Sequence, residues 1–242
     1  MSILPASADR IRRNVDCVRE RIAAAATRSG RTAGSVRLVG VTKYVDAPTA
    51  RLLIEAGLKD LGESRPQELW AKWAALVELS PTWHLIGHLQ SNKVRRTLQA
   101  HPLIHSADSL KILENISREA QLLSLTSELL LEVNVSGDAA KHGFPPGEVE
   151  PLLPQIARLP NIAVVGLMSM ASREGDLDQA RHEFAGLREL RDRLAANCPP
   201  EIALRELSMG MSGDYEVAIE EGATIVRVGS ALFEGLENDH SS

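Results

Sequence analysis

Val36-Arg37-Leu38-Val39-Gly40-Val41-Thr42-Lys43 is an apolar, largely β-branched run that ends in one lysine. Pro48 and a helical pattern follow it. Such a run reads as a buried parallel strand feeding a helix, because a strand covered on both faces loses the polar alternation of a half-exposed one. A lysine that closes it stands at the edge where barrels and open α/β sheets hold their ligands. The competing reading is a surface lysine in a strand-to-helix loop. The rest of the chain decides between them.

The unit repeats. Strands are expected over 36–43, 60–64, 83–87, 103–106, 128–135, 162–169, 205–209 and 223–229, each followed by a helical pattern or short turn. Ahead of the first lies a helix over 7–29, with Ile11, Val15, Val18 and Ile22 on one face. Later helices are expected over 48–57, 66–79, 90–99, from a cap at Asp108 to 123, 146–158, 177–194 and 214–221. Eight strand–helix units in 242 residues give a single (β/α)8 TIM barrel of the α/β class with an extra N-terminal helix. An open doubly wound sheet would want a Gly-rich phosphate turn after the first strand, and Val41-Thr-Lys-Tyr-Val has none. One domain over 1–242 is expected, with a helix and lead-in over 1–34 and a disordered tail at 238–242.

Composition narrows the function. Hydrophobic residues make up 44% of the chain, enough for one sizeable core, and the net charge is −5. The only short basic cluster is Lys93, Arg95 and Arg96, so no nucleic-acid partner is expected. Cys17 and Cys198 lie far apart and form neither a CxxC nor a disulfide framework. No apolar run approaches a membrane span and no signal peptide opens the chain, so a cytoplasmic protein without a membrane partner is expected.

The expected strand ends present Lys43, Ser64, His84, His105, Asn134, Ser136, Ser169, Ser208, Arg227, Gly229 and Ser230. That set lacks the carboxylate pair of a glycosidase. His84 and His88 are four apart but span a strand-to-loop junction, so no metal site is expected from them. Ser208-Met-Gly-Met-Ser-Gly-Asp214 and Arg227-Val-Gly-Ser230 are more specific. Small residues there let backbone approach a ligand, and barrels commonly hold phosphate in the loops after strands seven and eight. With one lysine at the end of the first strand, they suggest pyridoxal 5′-phosphate (PLP). The lysine would hold its aldehyde as a Schiff base.

The runs LVGVTKYVDAPTARLLIEAGLKDLGES, WHLIGHLQSNK, LLLEVNVSGDAAKHGF, GLMSM and LSMGMSGDYEVAIEEGATIVRVGSALFEG resemble the PLP homeostasis protein family, whose members are single-domain relatives of the alanine racemase barrel (fold type III). The resemblance implies Lys43 as the Schiff-base lysine. It implies Ser208, Gly229 and Ser230 around the phosphate, together with Gly210 and Ser212, and Arg227 against the pyridine nitrogen. It further implies a monomer that holds and buffers PLP without a catalytic reaction, in transient contact with apo PLP enzymes. Where the family usually reads Gly-Glu-Asn, this chain has Gly62-Glu63-Ser64, so Ser64 replaces a longer side chain near the cofactor.

An arginine beside the ring nitrogen makes the ring a weaker electron sink than an aspartate would. Racemases of this fold also use a tyrosine from a second domain, and here the chain stops about a dozen residues after the eighth expected strand. A small racemase using Tyr44, Tyr215 or a histidine is the alternative. A cofactor-free Schiff-base aldolase is a third reading.

Overall fold

The computed structural model describes residues 5–138, 140–172 and 175–236. Eight parallel strands close into a barrel in chain order, β1 through β8, with β8 hydrogen-bonded back to β1. They are β1 Arg37–Val41, β2 Asp60–Glu63, β3 Thr82–Leu85, β4 Leu103–Ala107, β5 Ser127–Glu132, β6 Ile162–Met168, β7 Glu206–Ser208 and β8 Ile225–Val228. Helices alternate with them: α1 Pro5–Arg28 precedes the barrel, then α2 Ala47–Glu55, α3 Pro66–Leu76, α4 Val94–Leu98, α5 Leu110–Leu122, α6 Pro146–Ile156, α7 Leu177–Ala195 and α8 Tyr215–Glu220. A 3₁₀ turn, 230–232, follows β8. The expected (β/α)8 barrel is the fold found. No described helix is long and apolar enough to cross a membrane.

Burial explains why these segments fold this way. Val39, Leu103, Leu130, Val165, Met168 and Ile225 plug the barrel interior, while the outward strand residues pack under the helices. On α1, Ile11, Val15, Val18 and Ile22 are all buried, as their spacing predicts. Each contributes about 2 kcal/mol by leaving water. Arg21 and Arg28 of α1 pair with Glu216 of α8, and Arg19 donates to the Gly57 carbonyl beyond α2. The extra helix thus straddles the seam where the barrel closes.

Three expectations need correction. β1 stops at Val41, because Thr42 opens a turn in which the Val45 N–H donates to the Thr42 carbonyl; Lys43 and Tyr44 are its central residues. β5 ends at Glu132 rather than at 135. Ser109, not Asp108, precedes α5 at the cap position, and the Asp108 carboxylate turns toward His88 instead. The expected tail at 238–242 lies outside the described residues.

Candidate functional site

Lys43 stands exposed at the mouth formed by the strands' C-terminal ends, its ammonium 4.8 Å from the centre of the Tyr44 ring. The turn carrying it is held from below. Lys72 of α3, buried behind the barrel wall, donates to the Thr42 carbonyl at 2.7 Å and to Glu63 at 2.5 Å. The Thr42 hydroxyl donates to the same Glu63 oxygen. The carbonyl and the hydroxyl of the residue before Lys43 are therefore both tied to a buried ion pair. Neither Glu63 nor Lys72 was singled out in the sequence, since an i, i+9 pair across a strand and a helix leaves no local pattern.

Arg227 lies inside the barrel, 3% exposed. Burial pulls its guanidinium down to about 10, opposed by the charges of Glu132 and Asp214, so it remains a cation at neutral pH. It donates to the Ser169 carbonyl at 2.9 Å and to the Ser208 hydroxyl. From Ser208 a chain of buried polar groups crosses the barrel: Ser208 Oγ to His105 Nδ1 at 2.8 Å, His105 Nε2 to His84 Nδ1 at 2.9 Å, and His84 Nε2 to Asp60 Oδ1 at 3.0 Å.

With both imidazoles neutral, as their burial favours, the Asp60 carboxylate at the far end fixes the direction of every proton in this chain. Arginine can only donate, and a carboxylate can only accept. Ser208 therefore accepts from Arg227 and donates to His105. His105 donates through Nε2 to His84, which donates through Nε2 to Asp60. Both imidazoles are neutral, in agreement with the downward pull that burial exerts on His84 and, far more strongly, on His105. This geometry bears on the phosphate expectation for Ser208. Its proton is already given to His105, so it has none to offer a phosphate oxygen.

The other phosphate-loop residues do gather. The Gly229 N–H donates to Ser212 Oγ at 3.1 Å, joining the loop after β7 to the end of β8. Gly229 lies against Val41: a Cβ built on it would fall 3.4 Å from the Val41 carbonyl oxygen. Ser230 is exposed beside them. Gly210, with φ +91°, packs on α8 so tightly that a Cβ would lie 2.6 Å from that of Ala218. Ser64 is half-buried at the end of β2, and its carbonyl is crowded by Gly87, where a Cβ would come within 2.2 Å. The helix after this loop, α8, is only six residues long, and Asp214 already accepts from the Met211 N–H. The Ser212 and Ser230 hydroxyls, rather than a helix end, are the donors here, since the Gly229 N–H is given to Ser212.

On the far side of the mouth Glu132 is buried at the end of β5. Burial, and then the like charge of Asp108, push its carboxyl up to about 7 against the pull of Arg227. Tyr215 is not at the mouth: it is 1% exposed in the outer layer, with the Arg21 guanidinium of α1 over its ring at 5.3 Å. Cavities of about 650 and 340 Å³ open at the strands' N-terminal ends, lined by residues such as Arg37, Asp60 and Ser127, away from Lys43. In barrels of this type that end serves stability rather than chemistry.

Comparison with known proteins agrees with this geometry. The model of the alanine racemase N-terminal domain family matches residues 7–237. The chain is 42% identical over 216 residues to the "Pyridoxal phosphate homeostasis protein" of Aquifex aeolicus, covering 89% of this chain and 94% of that one. A solved structure of an unknown protein from Bifidobacterium adolescentis superposes with a TM-score of 0.90 at 41% identity, covering 96% of this chain and 97% of the other. PipY of Synechococcus elongatus, solved with PLP bound, superposes with a TM-score of 0.78 at 37% identity, covering 89% and 99%. This chain belongs to the alanine racemase N-terminal domain family and, within it, to the pyridoxal phosphate homeostasis proteins.

Proposed function

We propose that this chain binds PLP through a Schiff base at Lys43 and serves PLP homeostasis by holding and releasing the cofactor rather than by turning over a substrate. The observation that carries the reading is the contact of Gly229 with Val41. It sets the lysine-bearing turn beside the Ser212–Gly229–Ser230 cradle, with Arg227 buried below. An amine, a cluster of small hydrogen-bond donors and a permanent cation suit an aldehyde, a phosphate and a pyridine nitrogen in turn. The relative solved with PLP and the homeostasis relatives support the same cofactor.

Each residue has a separable task. Lys43 supplies the amine, and the Glu63–Lys72 pair holds its turn. Gly229, Ser212 and Ser230 take the phosphate, with Gly210 shaping the loop and Ser64 at its margin. Arg227, held by Ser208, would meet the ring nitrogen and disfavour its protonation. Bound PLP would supply an electrophilic carbonyl and a modest electron sink.

The racemase reading has one observation in its favour: the Tyr44 ring lies against the lysine ammonium. Both groups belong to one turn, however, and a two-base racemase needs its bases on opposite faces of the cofactor. Cα–H exchange separates the readings. Incubated with PLP and a panel of L-amino acids in deuterium oxide, the chain should leave Cα deuteration at the rate of free PLP. Stereoinverting exchange well above that rate would establish the enzyme instead.

A further inference from the structure

The rim around β3, β4 and β5, across the barrel from the proposed phosphate cradle, carries a second cluster outside the residues proposed to hold the cofactor. His88 follows β3, Asp108 follows β4 and His142 follows β5. One carboxylate oxygen, Asp108 Oδ2, faces His88 Nδ1 at 2.9 Å and His142 Nδ1 at 3.7 Å. The two imidazoles stack, with centroids 4.6 Å apart and planes 17° from parallel. The three donor atoms all lie within 4.8 Å of one another.

Hydrogen bonding accounts for only half of this arrangement. His88 can donate its Nδ1 proton to Asp108, but His142 Nδ1 stands beyond hydrogen-bond range of the same oxygen. Around a divalent ion with ligand bonds of 2.0–2.1 Å, donor atoms sit about 3.3 Å apart. The observed 2.9 and 3.7 Å straddle that edge, and the third, between the two imidazoles, is no longer than 4.8 Å, so modest side-chain shifts complete the set. Asp108 is also prepared for the task. Its side chain is 7% exposed, and its other oxygen, Oδ1, accepts from the Ser109 hydroxyl at 3.1 Å, which leaves Oδ2 aimed at the rings. Glu132, 5% exposed, adds a second carboxyl on the same side.

We propose that His88, Asp108 and His142 form a binding site for a late first-row divalent cation, with zinc as its representative. Two imidazoles and one carboxylate select such an ion over magnesium or calcium. Three protein ligands leave at least one position open for water or an anionic ligand at the barrel mouth. The sequence hid the site because its ligands come from three separate loops. His84, which pairs with His88 by spacing, points into the barrel instead.

The test uses the full chain stripped of metal by a chelator, with no PLP added. Zinc titrated calorimetrically should bind one ion per chain, and cobalt(II) should develop the visible absorption of a low-coordinate site. His88→Ala, His142→Ala and Asp108→Asn should each weaken zinc by about tenfold or more. Both rings are at least 46% exposed, so these alanine variants should melt as the parent does. Lys43→Ala should bind zinc unchanged, which separates this site from chelation by a lysine-bound cofactor. Absence of saturable binding, unchanged affinity in a His88→Ala/His142→Ala variant, or loss of binding in Lys43→Ala would each overturn the proposal.

Discussion

His105 Nδ1 accepts the hydroxyl proton of Ser208, 2.8 Å away, while the same oxygen receives an N–H from Arg227. This contact makes His105 a positioning residue for Arg227, the cation proposed to meet the cofactor ring. His105→Leu would orphan the Ser208 proton and the facing His84 nitrogen, costing about 2–3 kcal/mol. Gln at this position can accept from Ser208 and donate to His84. Urea unfolding should therefore show most of the stability restored in His105→Gln. The absorption maximum of bound PLP should move in His105→Leu and return in His105→Gln.

The neutrality of the two histidines predicts a pH dependence. Both are held below their ordinary value by burial. Below about pH 6.5 the unfolded chain takes up protons at these positions that the folded chain does not. Stability from these groups is thus complete above about pH 6.5 and declines as pH falls toward their folded-state values. Between pH 7.5 and pH 5 the parent should lose more stability, read as the unfolding midpoint, than His105→Gln. That difference isolates the histidine contribution from Glu132, whose raised carboxyl takes up its proton in the folded state over the same range and acts in the opposite sense.

Lys72→Met would leave Glu63 as an unpaired charge in a fully buried position, where one of its oxygens, Oε2, already lacks a partner. The loss should be about 3 kcal/mol or more. Lys72→Met combined with Glu63→Gln should recover a large part of it. Because Lys72 also holds the Thr42 carbonyl, the single variant should slow imine formation at Lys43, as followed by stopped-flow absorbance.

Two glycines separate folding from phosphate binding. Gly229→Ala meets nothing closer than 3.4 Å, so the variant should fold normally yet crowd the cradle and weaken PLP retention. Gly210→Ala combines φ +91° with a 2.6 Å clash and should lower stability itself. Thermal melts paired with PLP release on gel filtration read the two effects apart.

The barrel was legible in the sequence because four of its buried strands, β1, β5, β6 and β8, write themselves as apolar runs, and the α1 stripe because Ile11, Val15, Val18 and Ile22 keep a helical period. Local chemistry was harder to see. Thr42 and Lys43 look like a continuing strand, and only the Lys72 and Glu63 contacts across the wall turn them into a bend. His84 and His105 stood in the sequence only as polar groups at two strand ends. Their meaning depends on facing one another and Ser208 across the barrel, a relation between β3, β4 and β7 that no single segment encodes. The family resemblance implied Ser208 around the phosphate, but its inward-facing hydroxyl gives its proton to His105.

The central claim is covalent capture of PLP by one amine. Incubation with PLP followed by borohydride, digestion and mass spectrometry of the labelled peptide tests it directly. A single pyridoxyl adduct on Lys43, absent in Lys43→Ala, is the expected result. A colourless protein, or an adduct on Lys72, Lys141 or another lysine with Lys43 unmodified, would contradict it.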